Sequence, residues 1–220
     1  MLSKYKFYFI LYLLLFPFSY GLYALFYEYL HVSNIPIVKI FQALASFVFI
    51  QIFGRDWIFF GQIKIIKVVL LLAFGLLFLF ALNNYFIINY DTVVPWRTKY
   101  IEISTSSILT GYVLSSTSEE IIYRGFIQNF INYKIAVKNS NIFSTGNLIA
   151  SIIMTFIHFG FFAYFNLVFA ITSIVLVFVF SLISGFIMDK TKNILITIIL
   201  HILVNFTHYF VCLGVLKNYI

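Results

Sequence analysis

Apolar runs near or above the roughly 20 residues needed to cross a bilayer follow one another along this whole chain. They leave no stretch for a water-soluble domain. Only 10% of the residues are charged and 63% are hydrophobic, whereas soluble domains carry about 25% charged residues. The expected fold class is therefore all-α: a polytopic integral membrane helix bundle of about seven spans, forming one membrane domain. The spans read as Phe7 to Tyr29, Ile37 to Phe53, Val68 to Ile88, Tyr100 to Tyr133, Ile149 to Phe162, Leu167 to Met188, and a last one from Ile194 to before Lys217. The stretch up to Lys67 reads as amphipathic and interfacial. The fourth span would be about 50 Å long as a straight helix, so it must tilt, kink or project. The run Ser115-Ser116-Thr117-Ser118 is the expected kink or water-lined stretch.

The net charge of +7 does not point to nucleic acid, because the basic residues sit at the ends of apolar runs, where they anchor helices and set orientation. With the N-terminus inside, Lys4, Lys6, Arg55, Lys64, Lys67, Lys134, Lys138, Lys190 and Lys192 fall on the cytoplasmic side. Lys39, Arg97, Lys99 and Lys217 fall opposite, nine against four. The first apolar run is too long for a signal-peptide h-region and no A-x-A pattern follows, so it reads as a retained span. Cys212 is the only cysteine, which excludes an intramolecular disulfide and a cysteine-built metal site. The richness in Phe, Ile, Tyr, Asn and Lys suggests an AT-rich, bacterial genome, and hence a bacterial plasma membrane.

Against this background Glu119, Glu120 and Arg124 stand out. A charge at bilayer depth costs about 2.5–3.5 kcal/mol on insertion scales, and here three fall within six residues. On a helix Glu120 and Arg124 lie about 40° apart and can pair, while Glu119 lies about 140° from Arg124. The arginine can thus neutralise Glu120 and leave Glu119 to hold water. A purely structural network of ion pairs between helices is the competing reading.

Two further helices offer polar groups. His158 lies in the span after the acids. His201 and Asn205, four apart in the last span, point the same way, with His208 within about 20° of His201. A polar stripe on an apolar helix faces the bundle interior, although interhelical hydrogen bonding alone would also account for it. His31 lies in a loop and looks incidental. A carboxylate beside a neutral imidazole can hold a water and take its proton. An imidazole N–H and a carboxamide N–H side by side, as in His201 and Asn205, can donate to a developing oxyanion. A zinc ion on His158, His201 and either Glu119 or His208 is equally easy to draw, though the H-E-x-x-H pattern of common zinc proteases is missing.

Glu119-Glu120-Ile121-Ile122-Tyr123-Arg124, followed by Gly125-Phe126, resembles the E-E-x-x-x-R motif of the CAAX protease and bacteriocin-processing family of intramembrane endopeptidases. His201-Ile202-Leu203-Val204-Asn205 is similar to that family's H-x-x-x-N motif, and Gly185-Phe186 through Asn193 to its lead-in. The F-x-x-x-H motif departs, with Met154 standing where the family has phenylalanine before His158. The resemblance covers residues 100–220, which it implies to be the catalytic core. The helices of residues 1–99 match nothing named. It implies that Glu119 and His158 activate water, that His201 and Asn205 form the oxyanion site, and that Glu120 and Arg124 support the glutamate. The family is commonly called a metalloprotease family, yet this division of labour works without metal, so zinc on His158 and His201 is expected to be dispensable. The implied substrate is a membrane protein or peptide, lipid-modified as in prenylated CAAX proteins or a bacteriocin-type precursor. Membrane lipids are the other expected partner. A non-proteolytic immunity or scaffold protein of the same family, and a transporter with an acid–histidine proton or ion path, are the rival readings.

Overall fold

The computed structural model describes residues 66–90, 105–135, 142–163 and 165–216, together with Leu44, Val48 and Gln51. Among these there is no strand, and five α-helices make up the fold: α1 (Ile66–Tyr90), α2 (Thr105–Glu120), α3 (Thr145–Ile157), α4 (Leu167–Thr191) and α5 (Ile194–Leu216). This is the all-α membrane bundle that the apolar runs require. Four helical stretches among the described residues are long and apolar enough to cross a membrane: Ile66–Ile87, Thr145–Phe162, Leu167–Thr191 and Ile194–Val211. Apart from Leu44, Val48 and Gln51, the two spans expected before Gly54 lie outside the described residues, as do the interfacial stretch before α1, His31, and the side chains of His208 and Cys212.

Local chemistry sets the helix ends. Ser144 caps α3, its hydroxyl accepting from the Asn147 N–H at 3.0 Å. Asn166 caps α4 through the Phe169 N–H at 3.1 Å. Such caps contribute about 1 kcal/mol each. Helix α4 ends at Lys192, which adopts the left-handed conformation at φ 51°.

Helix α2 packs along α5, its continuation packs on α3, and α1 lies along the other flank of α5. The serine run was the expected site of irregularity, but it is regular α-helix. The departure comes after the acids, as a π-helical stretch Ile121–Gln128 and a second over Ile131–Ile135. The serines satisfy themselves within the turn, Ser115 donating to Glu119 and Ser118 to the Ser115 carbonyl. Glu120, Arg124, Gln128 and Asn132, each four residues from the last, all bond to α4. On an α-helix that stripe would drift by about 40° per step. The wider i→i+5 turns reduce the drift, and such turns recur at functional sites. The core around them is aromatic and aliphatic, with Phe126, Phe130, Ile127, Met154 and Phe180 buried.

Candidate active site

Glu119 and Glu120 close α2, and the structure gives them different surroundings. Glu120 is wholly buried. Its Oε2 accepts from Ser184 Oγ at 2.9 Å and lies 3.7 Å from Arg124 Nε. Its Oε1 is 3.0 Å from His201 Nδ1. The expected Glu120–Arg124 pair is therefore present but long, and His201 is the nearer partner. Arg124, also wholly buried, donates to Gln128 Oε1 at 3.2 Å and to Ser181, and reaches Met154 Sδ at 3.9 Å. Burial of such a charge is tolerable only with hydrogen bonds of this kind around it.

Glu119 is 7% exposed. It accepts from Ser115 Oγ at 2.8 Å, and its Oε2 lies 3.9 Å from His201 Nε2. His201 thus stands with one carboxylate at each ring nitrogen. Only the imidazolium donates from both nitrogens at once; a neutral ring carries a single N–H.

A cavity of about 270 Å³ lies beside His201, among α1, α2, α3 with its following turn, α4 and α5. His158, His201 and Asn205 all line it. The imidazole expected on one helix and the imidazole–amide pair expected on another therefore face one space. Glu119 is not among the lining residues; its Oε2 lies 3.9 Å from the Nε2 of His201, which is one of them. His158 opens the tight turn His158–Ala163 that follows α3. Its Nδ1 is 2.8 Å from the Met154 carbonyl. A carbonyl only accepts, so Nδ1 is the donor, and in a neutral ring Nε2 is then the acceptor. Met154, where the resembling family has phenylalanine, thus holds the histidine through its backbone and fills the core beside Arg124 with its side chain. Asn205 Nδ2 donates to Ser116 Oγ at 2.9 Å, using one of its two N–H bonds.

Several residues of this site were not singled out from the sequence. Ser181 and Ser184 anchor Arg124 and Glu120 from α4, and Gln128 bridges Arg124 to Asp189 and to the Gly185 carbonyl. Asn83 and Asn84 enter the cavity from α1. The available signal was the recurrence of serine on one face of the apolar α4 and an asparagine pair inside an apolar run.

The donor set does not converge on a metal ion. Among the described residues, no group of three or more His, Cys, Asp or Glu side chains is placed to hold one. Glu119 and Glu120 approach different nitrogens of His201, and the ring directs its lone pairs and protons away from any shared point.

Residues 102–207 match the protein-family model described as Type II CAAX prenyl endopeptidase Rce1-like. The matched segment holds Glu119, Glu120, Arg124, His158, His201 and Asn205, and it leaves out α1. Neither the curated proteins nor the solved structures include a match to the chain.

Proposed function

Because residues 102–207 carry an Rce1-like type II CAAX prenyl endopeptidase domain, we propose that this integral membrane protein is an endopeptidase that hydrolyses peptide bonds of a membrane-associated or lipid-modified protein or peptide. The observation that carries this reading is the placement of His201, with carboxylates at both nitrogens and a cavity shared with His158 and Asn205. In this reading the scissile carbonyl enters the cavity. The 3.9 Å between Glu119 Oε2 and His201 Nε2 is too long for a direct hydrogen bond and short enough for one water to touch both groups. Glu119, with His158 Nε2 as a second acceptor, takes the proton as the water oxygen bonds to the carbonyl carbon. The oxyanion accepts from the second N–H of Asn205 and from His201 Nε2–H. Collapse breaks the C–N bond, and the proton first taken passes to the leaving nitrogen.

Glu120 acts here by positioning. It accepts from His201 Nδ1, which leaves Nε2 directed toward Glu119, and Arg124 with Ser184 fixes the carboxylate. Arg124 balances one carboxylate, and hydrogen bonds from Ser184, Ser115 and His201 support the pair, which is how such a cluster persists in an apolar bundle. No step passes through a metal ion. The setting completes the proposal: a bacterial plasma membrane with a cytoplasmic N-terminus.

Reconstitution in liposomes with membrane-anchored reporter peptides, prenylated and not, tests the reading. Wild type is expected to cleave at least one, and Glu119→Ala and His158→Ala to lose about 10²-fold or more of the rate. Undiminished cleavage by both variants would overturn the mechanism. No cleavage at all by wild type, in a chain whose function in cells survives both substitutions, would leave the scaffold reading instead.

A further inference from the structure

One wall of the cavity that the candidate catalytic groups line comes from α1, outside the matched segment, and it is polar where a membrane helix has most reason not to be. Phe80, Asn83, Asn84 and Ile87 line the cavity from one face of α1, at spacings of three and four residues. Along the rest of that face the helix buries Val69 and Leu76. Two adjacent carboxamides within an apolar span are costly unless they face the bundle interior. Asn83 Nδ2 donates to Ser173 Oγ of α4 at 3.1 Å, which fixes the wall to the bundle. A carboxamide has two N–H bonds and a carbonyl oxygen, so that bond uses one of three groups.

We propose that Asn83 and Asn84 recognise the backbone of the substrate beside the scissile bond, and that the substrate is an extended, uncharged peptide segment. The inference rests on the endopeptidase reading. A peptide bond can be hydrolysed only where its carbonyl is released from helix hydrogen bonding, and each released amide in apolar surroundings costs several kcal/mol unless it finds a partner. A carboxamide offers both a donor and an acceptor, in the same planar arrangement as a peptide group. None of the residues lining the cavity is Asp, Glu, Lys or Arg, and Phe80, Phe161 and Phe180 supply much of its surface. Such a lining accommodates aromatic and aliphatic side chains and disfavours charged ones.

The test uses full-length protein in liposomes and a cleaved reporter peptide, remade with single N-methyl groups at the amides flanking the cleaved bond. Wild type is expected to lose about tenfold or more in kcat/KM at one of these positions. Asn84→Leu or Asn83→Leu should show that lower kcat/KM already with the unmodified peptide, chiefly through KM, and little further loss on N-methylation. Asn84→Gln should recover part of it. Lys or Glu substituted beside the cleaved bond should lower wild-type cleavage by a similar factor. Equal sensitivity to N-methylation in wild type and both leucine variants would overturn the proposal, as would unchanged kcat/KM in both variants. Absence of cleavage of every reporter by wild type would instead overturn the endopeptidase reading and this inference with it, so the two failures are distinguishable.

Discussion

His201 Nδ1 and Glu120 Oε1, eighty-one positions apart in the chain, meet at 3.0 Å in the interior of the bundle. That contact assigns the two adjacent glutamates different tasks. Glu120 is locked among His201, Ser184 and Arg124, whereas Glu119 bonds Ser115 and lies 3.9 Å from the far nitrogen of the same ring.

The first prediction separates the two acids. Glu120→Gln leaves Arg124 buried without its carboxylate, and breaking a buried pair costs about 3–5 kcal/mol. It should lower both thermal stability in detergent and cleavage. Glu119→Gln keeps an acceptor for Ser115 and should leave the melting temperature nearly unchanged while cutting the rate by about 10²–10⁴. Equal destabilisation by the two would show that Glu119 is structural as well.

Asn205 donates to Ser116 and still has an N–H for the cavity. Asn205→Ala is therefore expected to lower kcat by about 10²–10³, the loss typical of one oxyanion donor, with KM little changed. Steady-state kinetics on a reporter peptide measures the split. A rise in KM alone would make Asn205 a substrate-binding residue.

Gly185 sits where α4 meets α3 and the π-helical stretch. A Cβ there would overlap Asn147 Oδ1 and lie 2.8 Å from Gln128 Oε1. Gly185→Ala should destabilise the fold by about 1–3 kcal/mol, as overpacked cores do. It should also disturb the chain of contacts from Asp189 through Gln128 to Arg124. Thermal unfolding is the readout, and a neutral result would mean that this junction yields easily.

Chelation gives the fourth test. Because the donors around His201 diverge, incubation with a strong zinc chelator followed by its removal is expected to leave cleavage unchanged, and added zinc to restore nothing. Loss of activity that zinc reverses would place a metal ion in the reaction.

Much of this arrangement was legible in the residues. Charged and imidazole side chains are conspicuous in apolar runs because the membrane penalises them, so Glu119, Glu120, Arg124, His158, His201 and Asn205 could be picked out and their inward direction inferred. Their mutual geometry could not. The Glu120–His201 contact depends on how α2 and α5 pack, which no local pattern encodes. A kink or water-lined stretch was expected at the serines, but the irregularity is the π-helical stretch that begins at Ile121, since a serine whose hydroxyl finds a side-chain acceptor makes no demand on the backbone. Here Ser115 has Glu119. Ser181, Ser184 and Gln128 escaped notice because small or neutral polar residues are unremarkable until a buried arginine needs them.

The most direct test of the central claim, that groups from separate helices act as one hydrolytic unit, is a double-mutant cycle. Single-turnover cleavage in liposomes would be compared for wild type, Glu119→Gln, His158→Ala and the double variant. Residues acting as a unit are strongly non-additive. The account predicts that each single variant loses at least about 10²-fold and that the double is no slower than the worse single. Losses that multiply in the double variant, or a single variant that cleaves like wild type, would contradict it.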